Sequence, residues 1–282
     1  MNTWRRIFKR KIAITAMIFI CLVFIAAIFA PLIAPFSPSE QFKDGLTFQG
    51  APIAPGEQYL LGTDLLGRDL LSRLIYGART SLIIGIIANG IAVILGTTIG
   101  LIAGYLRGRT GSAIMRVTDL MMAFPALLLA ITLAAIFSPS LLIVALVIAM
   151  VNWVQIARVI YTQTISIAER EFVVAAVGLG ASNRRILRRH ILPHLLPTVL
   201  VYATLGISTT VLLEATLSFL GIGVRPPTPS WGNIIFENQT YFITAPWLVF
   251  IPGVVIILLA LAFNVLGDVL RDELDPTQRG VS

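Results

Sequence analysis

Residues 81–104 read SLIIGIIANGIAVILGTTIGLIAG, a stretch that contains no Asp, Glu, Lys or Arg. A helix needs roughly 20 mostly apolar residues to cross the hydrocarbon layer of a bilayer. This stretch therefore predicts a membrane-spanning helix, and other stretches of the same length and character are expected along the chain.

The composition agrees with an integral membrane protein. Of the 282 residues, 57% are hydrophobic and only 12% are charged, and the mean hydropathy is +0.89, whereas a soluble domain carries about 25% charged residues. The sequence pI is near 10.1, but the positive charges lie in clusters at the ends of apolar runs and not in one stripe, so we exclude nucleic acid as a partner. The single cysteine, Cys21, lies inside the first apolar run and is interpreted as a buried or lipid-facing residue.

Six apolar runs are long enough to span a membrane, which predicts an all-α integral membrane protein with six transmembrane helices. The first run follows the basic segment RRIFKRK, as a signal peptide would. Its length, the prolines at 31 and 35, and the lack of a small-x-small cleavage site favour a retained helix. The predicted spans are Ile12–Ala30, Ser81–Gly104, Ala113–Phe137, Leu141–Val159, Thr198–Leu220 and Trp247–Leu266.

The distribution of Lys and Arg predicts the orientation. If the amino terminus lies inside, the inner segments hold 16 of these residues and the outer segments hold five, as the positive-inside rule requires. Both termini are therefore predicted to be cytoplasmic. We predict a basic amino-terminal segment (1–11), a single transmembrane domain (12–276) and a cytoplasmic tail (277–282), with an outer segment at 31–80, a cytoplasmic loop at 160–197 and an outer loop at 221–246.

Gly96, Gly100 and Gly104 are spaced four residues apart in the second span. On a helix they form one smooth ridge, and small residues of this kind allow two helices to approach closely in lipid. Two interpretations remain open for the ridge. It is either a seam between two membrane subunits or a packing surface inside the same subunit.

Glu214 is an ionisable residue within the fifth predicted span, and Thr210 and Ser218 share its helix face. A charged side chain is costly inside a membrane and normally faces the interior of a helix bundle or a watery cavity. One hypothesis places these three residues on a translocation path. The other gives Glu214 a structural hydrogen bond between helices.

Residues 173–197 read VVAAVGLGASNRRILRRHILPHLLP and hold the densest positive charge of the chain. The Ala and Gly residues predict a short helix with a small-residue face that another protein can approach. Ser182 to His190 predicts a second short helix, and Pro193 predicts a helix boundary, because proline lacks the backbone donor. The alternative is an ordinary loop that only sets the membrane topology.

No catalytic or metal site is predicted. His190 and His194 have the spacing of a metalloprotease helix, but no Glu follows His190 and Pro193 lies between them. The chain also lacks a Walker A sequence and therefore does not predict an ATP site of its own. From the residues alone we expect a conduit and not an enzyme, with an ion-gradient-driven secondary transporter as the alternative.

The spacing of Ala175-Ala176, Gly180 and Leu192-Pro193 resembles the EAA loop of ABC-importer permeases. Three further stretches are similar to the peptide/nickel subfamily of these permeases and to its C-type subunit. They are LGTDLLGRDLLSRLIYGARTSL (61–82), EATLSFLGIGVRPPTPSWG (214–232) and AFNVLGDVLRDELDP (262–276). The resemblance covers nearly the whole chain.

The resemblance implies the type I importer permease fold in a bacterial cytoplasmic (inner) membrane. It implies a heterodimer with a second permease, two cytoplasmic ATPase subunits that bind ATP and Mg, and an external substrate-binding protein. It also implies di- or oligopeptides as cargo, with a nickel chelate or another small solute as the alternative. The implied coupling loop, which docks an ATPase, comprises Glu171, Ala175, Ala176, Gly178, Gly180, Ala181, Leu192 and Pro193.

The implied signature in the outer segment comprises Gly62, Thr63, Asp64, Gly67, Arg68, Asp69, Ser72 and Arg73. Asp64 and Asp69 each precede an arginine by four residues, which predicts the ion pairs Asp64–Arg68 and Asp69–Arg73 along a helix. Leu66, Leu70 and Leu74 predict an apolar stripe on the same helix, which would lie on the outer membrane surface.

Overall fold

The computed structural model describes residues 10–137 and 140–274, and these residues form helices without a regular β-strand. The basic segment predicted at 1–11 and the tail predicted at 277–282 fall largely or wholly outside the described residues. The helices are α1 (Lys11–Ile28), α2 (Ala30–Ile33), α3 (Leu70–Leu106), α4 (Gly108–Met122), α5 (Ala126–Ile136), α6 (Leu141–Ala168), α7 (Glu171–Gly178), α8 (Asn183–Phe219), α9 (Trp231–Asn238) and α10 (Trp247–Leu274). A 3₁₀ turn, Gln239–Tyr241, follows α9.

Five helices are long and apolar enough to cross a membrane, namely α1, α3, α6, α8 and α10. The third predicted span, Ala113–Phe137, is wrong as a continuous helix, because α4 and α5 meet at a bend of 87°. Pro125 explains the break, since its ring disfavours a helical conformation at Phe124 and it has no N–H to donate. If the bent pair counts as one span, the described residues hold six.

The other long helices extend beyond the predicted spans. Helix α3 begins at Leu70, eleven residues before the predicted start of the second span at Ser81. Helix α6 continues to Ala168 and α10 to Leu274. Hydropathy marks only the part of a helix that lies in hydrocarbon, so it misses the polar turns that continue into the interface and the water.

Arg10 and Asp272 form an ion pair (Nη1–Oδ2 2.6 Å) that brings the start of α1 to the end of α10. We call this end of the bundle the terminal face. It also carries α7 and the start of α8. The opposite end, which carries residues 34–69 and 220–246, is called the distal face.

Helix α3 lies at the centre of the bundle. Its inward residues contribute to three hydrophobic clusters. One cluster lies between α3, α6 and α8, the second between α1, α3, α8 and α10, and the third between α3, α5, α6 and α8. Every other spanning helix therefore packs, directly or through one neighbour, on α3.

The glycine ridge is a packing surface within the same chain. A Cβ at Gly96 would lie 2.6 Å from the carbonyl oxygen of Trp153, and a Cβ at Gly104 would lie 2.6 Å from Cβ of Thr164. A Cβ at Gly100 would clash with the carbonyl oxygen of Ala157. The backbones of α3 and α6 thus touch along the ridge, so the interpretation as a seam between two subunits is wrong.

The distal face contains an aromatic cluster of Phe36, Phe42 and Tyr59. The Phe36 and Phe42 rings are 4.8 Å apart, and the Phe42 and Tyr59 rings are 5.7 Å apart. Burial of the Tyr59 side chain, together with the Asp44 carboxylate beside it, raises the pKa of the Tyr59 hydroxyl above its ordinary value. The segment before α3 therefore has a small core of its own.

Candidate functional site

Helix α7 presents an apolar surface at the terminal face. One side of the helix is anchored, because Val173 is buried in a cluster with Ile186, Ile191 and Leu195 of α8. Larger apolar side chains are exposed elsewhere on the helix and just after it, namely Phe172 (37%), Val174 (59%), Val177 (52%) and Leu179 (89%). Exposed Arg and Glu side chains flank these residues on both sides in the sequence. An apolar patch with a polar rim is typical of a surface that another protein covers.

Helix α7 ends at a left-handed glycine. Gly180 has φ +76°. Its N–H donates to the carbonyl of Val177 (2.9 Å), and the N–H of Ala181 donates to the carbonyl of Ala176 (3.1 Å). These two bonds form a Schellman motif, which satisfies the last carbonyls of a helix and reverses the chain. Gly180 therefore fixes the angle at which α7 meets α8.

Several side chains fasten α7 to the rest of the bundle. The ring of Phe172 packs on the ring of His194 of α8, with centroids 5.0 Å apart. Just before α7, Glu169 pairs with Arg107 at the end of α3 (3.1 Å). Just after it, Asn183 accepts a hydrogen bond from the Tyr105 hydroxyl (2.9 Å). A displacement of α7 would therefore be transmitted to α3 and α8.

The predicted coupling-loop residues lie on two adjacent elements. Glu171, Ala175 and Gly178 are exposed along α7, while Ala176 is buried at its base. Near the start of α8, Leu192 is half-buried and Pro193 is exposed. The roles of these residues in docking stay a prediction.

Ser182 to His190 does not form a separate short helix, and Pro193 lies in the first turn of the α-helical part of α8, Leu192–Phe219, where the helix changes from π to α geometry without a break. Helix α8 runs unbroken from Asn183 to Phe219, with a π-helical stretch at Ile186–Ile191. A π turn is wider than an α turn. The ring of Pro193 therefore finds room where an α turn would press it against the carbonyl four residues earlier.

A buried charge cluster joins the signature segment to α9 at the distal face. Arg68 pairs with Asp64 (Nε–Oδ2 2.6 Å) and with Glu237 (Nη2–Oε2 2.7 Å). Arg73 pairs with Glu237 (Nη1–Oε2 2.6 Å) and also with Asp64. The two guanidinium groups and two carboxylates balance in charge. Removing one partner from such a buried set leaves an unpaired charge.

Three of the predictions for this segment are wrong. Asp69 does not pair with Arg73, because it is the N-cap of α3 and its carboxylate accepts the N–H of Ser72 (2.7 Å). The Asp64–Arg68 pair exists, but it crosses a turn that contains Gly67 (φ +71°) and is not on a helix. For the same reason Leu66 lies before the helix and shares no stripe with the leucines of α3.

The other signature residues hold the distal segment together. The Thr63 hydroxyl donates to the carbonyl of Gly45 (2.5 Å) and accepts the N–H of Ile53 (2.8 Å). The Ser72 hydroxyl accepts the N–H of Phe36 (3.0 Å). Gly62 has φ +81°. The signature is thus explained by hydrogen bonds and turns that attach residues 36–53 to the start of α3.

Sequence reasoning missed Glu237, which is the acidic partner of both buried arginines. A signal was present, because Glu237 is the only Asp or Glu in the outer loop predicted at 221–246. The exposed apolar side chains of α7 were also missed, because the prediction for this helix rested on its Ala and Gly residues and not on the larger residues between them.

Glu214 is fully buried and lies at the centre of a hydrogen-bond network. Its carboxylate accepts from the hydroxyls of Ser81 on α3 (2.9 Å) and Ser218 on α8 (2.7 Å). Those hydroxyls accept the backbone N–H groups of Trp231 (3.4 Å) and Val224 (3.1 Å). The network therefore ties two spanning helices to the segment that leads into α9.

The three predicted path residues are all buried within this chain. Thr210 accepts a hydrogen bond from the side-chain amide of Asn152 on α6 (3.3 Å). Neither Thr210 nor Ser218 faces an open surface. The arrangement favours the structural interpretation of Glu214, and a path role stays a prediction.

In the parts of the chain that the structure describes, no group of three or more His, Cys, Asp and Glu side chains is placed to hold a metal ion. His194 instead packs on an aromatic ring. The features that define the site at the terminal face are its exposed apolar residues and its arginines.

Comparison with known families assigns the chain in two parts. Residues 96–280 match the family described as "Binding-protein-dependent transport system inner membrane component". Residues 2–51 match "N-terminal TM domain of oligopeptide transport permease C". Together the matches include α1, α2, the end of α3 and all the helices from α4 onward.

Curated relatives match over nearly the full length. The "Di/tripeptide transport system permease protein DppC" of Pseudomonas aeruginosa (strain UCBPP-PA14) is 42% identical over 97% of this chain and 90% of the relative. The "Glutathione transport system permease protein GsiD" of Escherichia coli O6:K15:H31 (strain 536 / UPEC) is 39% identical over 98% of this chain and 90% of the relative.

The fold resembles a solved structure at lower sequence similarity. A chain of the MetNI methionine ABC transporter in an inward-facing conformation superposes with a TM-score of 0.58 at 16% identity. The match covers 72% of this chain and 96% of the other.

Proposed function

Because the chain belongs to the family of binding-protein-dependent transport system inner membrane components, we propose that it forms half of the translocation path of an ATP-driven importer for di- or oligopeptides. The family is a permease family of bacterial inner membranes, and its transport systems work with an ATPase and a substrate-binding protein. The peptide cargo is supported by the names of the relatives, which transport dipeptides, tripeptides or glutathione.

The terminal face is assigned to the cytoplasm. Arg184, Arg185, Arg188 and Arg189 are exposed there, and cytoplasmic loops carry an excess of Lys and Arg. This orientation puts α7 on the side where ATP is available. The distal face, with the buried charge cluster, then faces the external binding protein.

The exposed apolar residues of α7, together with Leu179 just after it, are the observation that carries the docking proposal. An ATPase subunit would cover Val174, Val177 and Leu179, and exposed Glu171 at the first turn would lie at the rim of the contact. ATP and Mg would be bound by that partner. A second permease with its own ATPase would complete a complex of two permeases and two ATPases.

The anchoring of α7 suggests how coupling works. When ATP binding draws the two ATPase subunits together, each subunit would move the docking helix of the permease that it contacts. In this chain that helix is α7. Val173 and Phe172 pack on α8, so α8 and the helices that pack on it would follow. The two permeases would then alternate between outward-open and inward-open arrangements, as a packed bundle moves between discrete states.

The proposal is tested by uptake in cells that lack this chain and in the same cells with the chain restored. We expect restored uptake of a labelled dipeptide, abolished by ATP depletion with the ion gradient held. Labelled nickel is measured in parallel. Restored nickel uptake without dipeptide uptake would overturn the cargo, and uptake that survives ATP depletion would overturn the ATP-driven class.

A further inference from the structure

A cavity of about 730 Å³ opens between α6, α8 and α10 toward the terminal face. Its size lies within the range of about 300–1,000 Å³ that is usual for small-molecule sites. The buried networks around Glu214 and Arg73 do not line it.

Basic side chains line the end of the cavity that is nearest the terminal face. Arg170 precedes α7, His194 lies on α8, and Arg271 lies in the last turn of α10. Three separate elements thus direct cationic or titratable groups to one place. Among the described residues that line the cavity there is no Asp or Glu, so the ligand chemistry that fits this end is an anion.

The cavity becomes apolar toward the membrane. One wall of the lining runs from Arg170, just beyond α6, to Val159 on α6, and another runs along α8 from His194 to Leu205. At 1.5 Å per helical residue, the lining on α8 spans about 16 Å. Val201 adds to the apolar end. The ligand that fits both ends is therefore an amphiphile with an anionic head.

The middle of the cavity is polar but uncharged. The Thr198 hydroxyl donates to Oε1 of Gln163 (2.9 Å), which bridges α8 and α6. This leaves the side-chain NH₂ of Gln163 as a donor, with the Tyr202 hydroxyl nearby in the lining. These donors lie between the cationic end and the apolar end of the cavity. The ester carbonyls of a glycerolipid lie between its headgroup and its acyl chains, so the two sets of groups match.

We propose that this cavity binds an anionic phospholipid, with the phosphate held by Arg170, Arg271 and His194 and an acyl chain directed along Val201 and Leu205. Basic pockets between transmembrane helices near the cytoplasmic surface bind such headgroups. A zwitterionic peptide fits less well, because the described lining offers no carboxylate to its ammonium group.

The site also touches the docking element. His194 lines the cavity and packs on Phe172 of α7. A bound headgroup therefore contacts a residue that holds the docking helix in place. Lipid binding itself is independent of the cargo and of the coupling proposed above, so its test stands apart from the uptake experiment.

The test uses the complete importer, purified in detergent with its partner subunits, and native mass spectrometry of retained lipid. Dioleoylphosphatidylglycerol is titrated against dioleoylphosphatidylcholine, which has the same chains. We expect preference for the anionic lipid in the wild type. The double variant R170Q/R271Q is expected to bind it about 30-fold more weakly, since each basic residue near a membrane surface contributes roughly a factor of five.

Three matched variants separate the site from general charge. R109Q/R116Q removes two exposed arginines of α4 that lie outside the cavity, and is expected to bind as the wild type does. R170K/R271K keeps the charge and is expected to retain most of the binding. Val159→Trp fills the apolar end and is expected to weaken lipid binding with both arginines present.

Each remaining outcome overturns the proposal. Wild-type affinity in R170Q/R271Q, or equal losses in R170Q/R271Q and R109Q/R116Q, would show that no site exists at this cavity. Displacement of the lipid by glycerol phosphate at equal concentration would identify a free phosphate site. Displacement by a dipeptide would make the cavity part of the substrate path.

Discussion

Arg73 and Glu237 lie 2.6 Å apart (Nη1–Oε2), so the first turn of α3 is bound to α9 across the distal face. The Arg73 side chain is fully buried and that of Glu237 is 11% exposed. In such an environment the pair is held by mutual attraction, and the loss of one partner is far costlier than at a surface.

Glu237→Ala is therefore expected to lower the free energy of unfolding by about 3–5 kcal/mol, because Arg68 and Arg73 both lose a carboxylate. The measurement is thermal unfolding of the purified importer in detergent. The control is Glu57→Ala, which removes an exposed carboxylate without a described ion pair from the segment before α3 at the same distal face. Equal stability of both variants would contradict the importance of the cluster.

Gly100→Ala is expected to weaken the packing of α3 on α6. The new Cβ would clash with the carbonyl oxygen of Ala157, and overpacking of this kind costs about 1–3 kcal/mol. Gly90→Ala is the matched control, because it lies on the same helix with no atom within 4 Å of its Cβ. Thermal unfolding should separate the two variants, and a more stable Gly100→Ala would refute the close approach.

The fold was largely predictable because hydrophobic length is a local property. Five of the six spans follow from apolar runs, and even the break in the third has a local cause in Pro125. The apolar patch on α7 was missed because its residues were considered one type at a time, although Phe172, Val174, Val177 and Leu179 are visible in the sequence.

Side-chain pairing was not predictable to the same extent, because it depends on distant parts of the chain. Local spacing assigned Arg73 to Asp69, yet the cap at the start of α3 takes Asp69 and the fold brings Glu237 to Arg73. Likewise, the glycine ridge on α3 predicted a close contact with another helix, but the sequence did not identify that helix. The fold shows that it is α6.

Glu214→Gln and Glu214→Ala are expected to behave differently. Gln keeps an oxygen that accepts from Ser81 or Ser218, so stability and uptake should remain close to those of the wild type. Ala leaves both hydroxyls without this partner, at about 1–3 kcal/mol for each unsatisfied buried group. Thermal unfolding and dipeptide uptake are measured together. Lost uptake in Glu214→Gln with full stability would instead support the path role.

Leu179→Asp is expected to uncouple the importer without preventing its insertion. Leu179 is 89% exposed at the end of α7, so the change costs the isolated chain little, but it places a charge in the proposed apolar contact. ATP hydrolysis stimulated by the binding protein and substrate is the readout. Leu179→Met, which keeps the apolar contact, should retain it, and full stimulation in Leu179→Asp would place the ATPase elsewhere.

Gly180→Arg is expected to abolish the same stimulation while the protein remains in the membrane. No atom lies within 4 Å of a Cβ at Gly180, so the substitution meets no steric barrier within the chain. It acts instead through the positive φ, which costs a non-glycine residue roughly 1–2 kcal/mol, and through bulk and charge beside the proposed ATPase contact. Gly180→Asn is the control, because Asn tolerates the left-handed conformation, and it should keep most of the stimulation. If Gly180→Arg supported normal uptake, neither the turn after α7 nor the surface around it would be needed for docking.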